Sequence, residues 1–254
     1  MISKPLISAS LLLLGLTFGL AGEAQGGTFN VSPVMFELGP GRGSQVVTIT
    51  NQGAEPARFQ VTLNTWTDGE DGVQSLTPTK ELVVFPTLLA LPGGAARKIR
   101  VGTLKPPAGQ GPEKTYRVVM AQIPTEGREL DSGVRMLTNM SLPVFVQPAK
   151  PKAALAVASL SVKAGQAELI LENRGNSYLR LKKVTVTALG GDGKALVTED
   201  LKAWYLLAGN RRVYPIPFKP GICPQLRTLK VVAESDRGGK VEKTVPVQPS
   251  ACEP

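Results

Sequence analysis

Apolar and polar residues alternate with period two through most of this chain, and helical periodicity is almost missing. The first such run is FNVSPVMFEL (29–38), followed by the turn GPGRGS. QVVTITN (45–51) and ARFQVTLNTW (57–66) come next, separated by QGAEP, and then a polar loop, TDGEDGVQSLTPTKE. LVVFP (82–86), ARKIRVG (96–102), TYRVVMAQIP (115–124) and VRMLTNMSLPVFVQP (134–148) complete the set. Short alternating strands at this spacing, punctuated by Gly, Pro and Asn, predict an immunoglobulin-like β-sandwich.

The segment QPAKPKA (147–153) reads as a short Pro- and Lys-bearing linker, after which the pattern restarts. ALAVASLSV (154–162), AELILEN (167–173), YLRLKKVTVTAL (178–189), RVYPIPF (212–218), LRTLKVVAES (226–235) and KVEKTVPV (240–247) predict a second, smaller β-sandwich. The expected fold is all-β, with two immunoglobulin-like sandwich domains over 25–148 and 149–254.

The N-terminus reads as a secretory signal over residues 1–24. Lys4 precedes the apolar run LISASLLLLGLTFGL, and small residues offer cleavage after Ala21 or Ala24. The run is shorter than the roughly 20 residues a spanning helix needs, and no later stretch is long and apolar enough, so no stable membrane insertion is expected. Export places the only two cysteines, Cys223 and Cys252, in an oxidising compartment, where a structural disulfide is expected. Closing that loop stabilises the fold by about 3–4 kcal/mol on the chain-entropy account. The formal charge is +9, but Lys and Arg are scattered rather than clustered, and export argues against nucleic acid as a partner. The chain has no histidine. That removes Ser–His–Asp and Cys–His nucleophile systems and every His-ligated metal site. No paired acidic motif and no Gly-rich phosphate loop is present, so neither an enzyme nor a cofactor or metal is expected.

The stretch 134–148 changes character along its length. Val134, Met136, Thr138 and Met140 form one alternate set, with Arg135, Leu137, Asn139 and Ser141 opposite. From the pattern alone the first set could face this protein's own core or a partner's.

Here the chain resembles a known family, the periplasmic PapD-like chaperones of the chaperone–usher pilus pathway. VSPVMFEL is similar to the family's first strand, and VTITNQGAEPARFQVTLNTW to its second and third. VVFPTLLALPGGAARKIRV, TYRVVMAQIP and VRMLTNMSLPVFVQP resemble its later strands, the last being its donor strand. ENRGNSYLRL resembles a turn of the archaic, Csu-like branch. The resemblance implies two sandwiches in a boomerang arrangement and a periplasmic location. It implies donor-strand complementation, in which Val134, Met136, Thr138 and Met140 fill the groove of an incomplete pilus subunit. It also implies delivery to an outer-membrane usher, and self-association when no subunit is bound. Met suits a strand that must fit several related partners.

The sequence departs from the best-known members at two places. Their first-strand Arg and donor-strand Lys anchor the subunit's terminal carboxylate; here those positions hold Val34 or Met35, and Pro143. Arg117, Arg100 and Arg135 are the candidate replacements, because a guanidinium can hold a carboxylate with two parallel hydrogen bonds. Arg117 ranks first, since its strand is the one expected to pair with the donor strand. The family's Glu–Arg pair near the domain junction is replaced by Gln122 and Gln147, so both charges are lost together. The competing reading is a structural or adhesive surface protein built like a pilus subunit. The short segment before the first strand, QGGTFNVSPV, disfavours it because such a subunit carries its own donor extension.

Overall fold

The computed structural model describes residues 28–105, 109–124 and 136–252. The predicted signal segment therefore lies outside the described residues, as do Val134 and Arg135. The first half carries β1 (Phe29–Ser32), β2 (Phe36–Leu38), β3 (Ser44–Asn51), β4 (Ala57–Asp68), β5 (Gln74–Pro78), β6 (Leu82–Phe85), β7 (Leu88–Leu91), β8 (Ala96–Thr103), β9 (Lys114–Gln122) and β10 (Asn139–Val146). One sheet runs β1-β3-β8-β6 and the other β2-β10-β9-β4-β5, with β7 also on β4. Inward residues of both sheets, among them Phe36, Ile49, Phe59, Ile99, Val118 and Val144, form a single buried cluster. This is the two-layer arrangement that strands with one apolar face require.

The second half carries β11 (Leu155–Lys163), β12 (Gln166–Asn173), β13 (Leu179–Leu189), β14 (Ala195–Asp200), β15 (Tyr205–Leu206), β16 (Arg211–Pro217), β17 (Thr228–Ser235) and β18 (Lys240–Pro246). Sheets β11-β12-β16 and β14-β13-β17-β18, with β15 on β13, enclose a second core that includes Leu169, Leu171, Val184, Leu229 and Val231. Cys223 and Cys252 are disulfide-bonded, with Cα atoms 5.6 Å apart, and tie the last 3-10 turn to the one at Cys223–Gln225.

The structure differs from the sequence reading at several strands. The expected strand 29–38 is two: β1 pairs with β3 in one sheet, and β2 runs parallel to β10 in the other. Pro33, which has no N–H to give a ladder, lies where the chain crosses over. The polar loop 67–81 is instead a β4–β5 hairpin; all five residues of β5 are exposed, so no apolar face marks it. β7, between Pro86 and Pro92, and the largely exposed β14 were also unmarked.

One buried asparagine closes a turn in each half. Asn51 Nδ2 donates to the carbonyls of Glu55 (2.7 Å) and Leu91 (3.3 Å), while its Oδ1 accepts from the Gly53 N–H. Asn173, fully buried, donates to the carbonyls of Ser177, Leu206 and Leu207 and accepts from Ala154 and Gly175 N–H. It thereby joins the end of the linker to the β12–β13 turn.

Candidate functional site

Strand β10 is paired differently along its two halves. Its whole length runs antiparallel to β9, from Asn139 opposite Ala121 to Val146 opposite Lys114. Only Val144–Val146 have a second neighbour, β2. From Asn139 to Pro143 the other edge is open among the described residues. The Thr138 carbonyl accepts from Gln122 N–H (3.0 Å), so even-numbered residues turn their backbone groups toward β9. Asn139, Ser141 and Pro143 therefore turn theirs to the open edge. Pro143 has no N–H to leave unpaired there.

The side chains of this strand divide the same way. Leu142 and Val144 are buried in the first core, and Met140 is half-buried against it. Met136 is 80% exposed and Leu137 is 44% exposed. Thr138 is half-buried, and its N–H donates to Gln122 Oε1 (2.9 Å). Phe145 points away from the first core into an aromatic cluster with Trp66, Tyr178, Tyr205 and Leu207. It stacks on Tyr178 with ring centroids 3.7 Å apart. Trp66 and Phe145 come from the first sandwich, and the other three from the second, so the cluster joins the two.

Arg117 stands on β9 directly opposite Pro143 and is 4% exposed. Its guanidinium carbon lies 3.8 Å from the centre of the Trp66 ring, a cation–π contact. Trp66 Nε1 in turn donates to Asp68 Oδ1 (2.6 Å). With its amide turned so that the oxygen meets these donors, Gln74 Oε1 accepts from Arg117 Nη2 (3.0 Å) and from Trp204 Nε1 (3.1 Å). Arg117 Nη1 is 3.5 Å from the Ser141 carbonyl oxygen, at the outer limit of a hydrogen bond. The Nε has no partner, and no carboxylate forms an ion pair with Arg117 among the described residues. Burial lowers the guanidinium's proton affinity, an effect opposed by the nearby Tyr205 hydroxyl and Asp68 carboxylate. It nevertheless remains a cation at neutral pH.

Of the other candidate cations, Arg100 lies on β8 in the opposite sheet. It is exposed, donates to Ser44 Oγ (3.1 Å), and does not join Arg117 or β10. Arg135 is outside the described residues. Gln122 and Gln147 take separate partners: Gln122 serves Thr138, and Gln147 Nε2 donates to Glu37 Oε1 (3.2 Å). The junction has an ion pair of its own, which the sequence did not reveal. Arg237 Nη2 lies 2.6 Å from Glu37 Oε1, and its guanidinium covers Tyr178, 4.4 Å from the ring centre. Tyr178 is thus held between Phe145 and Arg237, and its hydroxyl donates to Glu37 (3.0 Å). Burial pushes the Glu37 carboxyl up, but the hydrogen bonds from Arg237 and Tyr178 outweigh it and leave the carboxyl below its ordinary value. Nearby Glu113 is 7% exposed. It accepts from Tyr178 N–H (3.0 Å) through Oε1, while Oε2 has no partner. Desolvation pushes this carboxyl up to about 8.

The β4–β5 turn also reaches the second sandwich. Val213 N–H donates to Glu70 O (2.8 Å), Asn210 Nδ2 to Asp68 O (3.1 Å) and Arg212 Nη1 to Asp71 O (3.2 Å). Gln74, which meets Arg117, and Trp204, which meets Gln74, come together through this docking and carry no period-two signal of their own.

Fold and edge together describe a two-sandwich protein in which, among the described residues, the Asn139–Pro143 part of β10 has one unpaired edge. Its first sandwich matches a known family: residues 28–152 correspond to the pili and flagellar-assembly chaperone, PapD N-terminal domain. No protein with a curated description matches the chain in sequence. Among solved structures, the YadV chaperone matches with a TM-score of 0.59 at 16% identity, over 86% of this chain and 99% of that one. The CsuC–CsuE chaperone–tip adhesion subunit pre-assembly complex from archaic Csu pili of Acinetobacter baumannii gives 0.56 at 18%, over 86% and 97%. The Salmonella enterica SafA pilin in complex with the SafB chaperone gives 0.53 at 15%, over 87% and 96%. These likenesses are of similar size; they carry the fold and do not single out the archaic branch.

Proposed function

We propose that this chain is a periplasmic assembly chaperone that holds pilus subunits by donor-strand complementation and passes them to an outer-membrane usher. The observation that carries the reading is the edge of β10 from Asn139 to Pro143, unpaired among the described residues, with the exposed Met136 side chain three residues before the strand begins. An added strand gains sequence-tolerant backbone hydrogen bonds, and alternate side chains supply the fit. Chaperones of the same fold are seen with a tip subunit and with a pilin, which supports subunits as the partner class. In this reading Val134, Met136 and Thr138 enter the subunit's groove, and Met140 is shared with the chaperone's own core. Arg117 receives the subunit's terminal carboxylate, and no cofactor is needed.

The test is co-purification of subunits from the periplasm with two variants. Met136→Arg puts a charge on a side chain that already faces solvent, so folding is kept while entry into an apolar groove is blocked. Ser141→Pro removes an N–H that points to the open edge and so costs β10 no bond to β9. Loss of small β-rich subunits with both folded variants is expected. Undiminished capture by both would overturn the donor-strand reading.

A further inference from the structure

The buried charge of Arg117 is incompletely satisfied. It has one neutral amide oxygen, one distant carbonyl and an aromatic face, and its Nε has no partner. Among the described residues no carboxylate pairs directly with it, and Asp68 acts only through its nearby charge; a buried cation served mainly by neutral acceptors is costly, and an amide oxygen is a poor substitute for a carboxylate. Meanwhile the groups that reach it from outside are exposed. Gln74 is an exposed residue on an edge strand, and Trp204 is 44% exposed. Trp204 belongs to the second sandwich, so the single Gln74 oxygen bridges the arginine of one domain to an indole of the other.

We propose that Gln74 is a displaceable placeholder. It holds Arg117 in position while the site is empty, yields its oxygen's place to an incoming carboxylate, and in doing so releases Trp204 from the second domain. This rests on the reading of Arg117 as the carboxylate anchor and adds a positioning residue to it. A carboxylate meets the guanidinium with two charged acceptors where Gln74 offers one neutral one, so the exchange is favourable. Releasing the indole N–H costs little, because Trp204 already faces solvent and can donate to water.

The chain itself supplies the reporter. Its two tryptophans are Trp66, beneath Arg117, and Trp204, at the far end of the Gln74 bridge. Tryptophan emission therefore reads this site alone. The mature protein is titrated with a short N-acetylated Val/Thr strand peptide bearing a free C-terminal carboxylate, and with its C-terminal amide. The free acid should change the emission and bind roughly tenfold more tightly than the amide, the contrast between a charged and a neutral partner for a guanidinium. Gln74→Ala removes the competitor and should tighten free-acid binding several-fold. Gln74→Glu supplies a permanent internal carboxylate, and should raise the unfolding temperature while abolishing free-acid preference. If free acid is preferred and both Gln74 variants bind it as the wild type does, the placeholder role is wrong and the anchor stands. If acid and amide bind alike, or neither binds, the anchor itself is wrong and the placeholder falls with it.

Discussion

Glu113→Gln tests how the two domains are held together. The carboxyl is 7% exposed, its Oε2 has no partner, and desolvation sets its pKa near 8 in the folded protein against 4.5 in a solvated chain. Because the folded value is the higher one, this group's contribution is fully present below about pH 4.5 and is lost as pH rises toward 8. In that window the folded state holds about one proton that the unfolded state has released, so stability falls by at most about 1.4 kcal/mol per pH unit. Over the whole interval the loss sums to about 4–5 kcal/mol as an upper figure. The chain has no histidine to titrate in this window, and the Glu37 carboxyl is held below its ordinary value by Arg237 and Tyr178. Asp68, raised above 3.8 by desolvation, adds to the acidic end. Glutamine keeps the oxygen that accepts from Tyr178 N–H and cannot ionise. Urea unfolding from pH 5 to 9 should show a falling midpoint in the wild type and a much flatter one in Glu113→Gln, with the variant the more stable at pH 9. Equal slopes in the two proteins would refute the assignment.

Asn173→Ala removes the donor to three carbonyls and the acceptor for two N–H groups in a buried turn, so a loss of about 2–4 kcal/mol in denaturant unfolding is expected. Gly175→Ala drives a Cβ into the Lys152 carbonyl and the backbone of Ala153, so the linker must shift; a loss above about 2 kcal/mol by the same assay is expected, with little gained from reduced chain entropy. Arg237→Gln breaks a pair whose side chains are 36% and 30% exposed, so it should cost only about 1 kcal/mol at low salt. That difference should shrink in about 1 M salt, where screening acts within a few ångströms.

What the sequence made visible was local. The strands that bury one face announce themselves by alternation, and β10 stood out because Leu142, Val144 and Phe145 follow the slimmer set around Met136 and Met140. Arg117 was reachable because alternation placed it on a strand and the family resemblance implied that this strand pairs with β10. The exposed strand β5 was invisible, since Gln74, Ser75, Leu76, Thr77 and Pro78 have no buried face to mark a period. Its contribution to the site arises only when the hairpin docks on β16. The Glu37–Arg237 pair joins residues 200 apart in the chain, and no local pattern encodes such a contact. Arg100 shows the converse: it was a candidate by residue type on a well-predicted strand, but alternation does not say which sheet a strand joins, and β8 lies in the sheet opposite β10.

The three settings of β10 account for how an open edge can persist beside a firmly built core. Leu142 and Val144 pin the strand to the first sandwich, and Phe145 pins it to the second through Tyr178. The residues between Asn139 and Pro143 need no second neighbour to stay extended, because β9 holds them along one side and the buried positions just beyond hold their end. An edge fixed in this way is already in the conformation an added strand requires, so little ordering entropy opposes the addition. The same openness invites unwanted pairing. Pro143 limits it by withholding the last donor before β2 takes over, so the open ladder offers two N–H groups, from Asn139 and Ser141, and then stops. A strand that adds here thus reaches the end of the ladder directly across from Arg117. That is where a chain ending in a carboxylate would leave its charge.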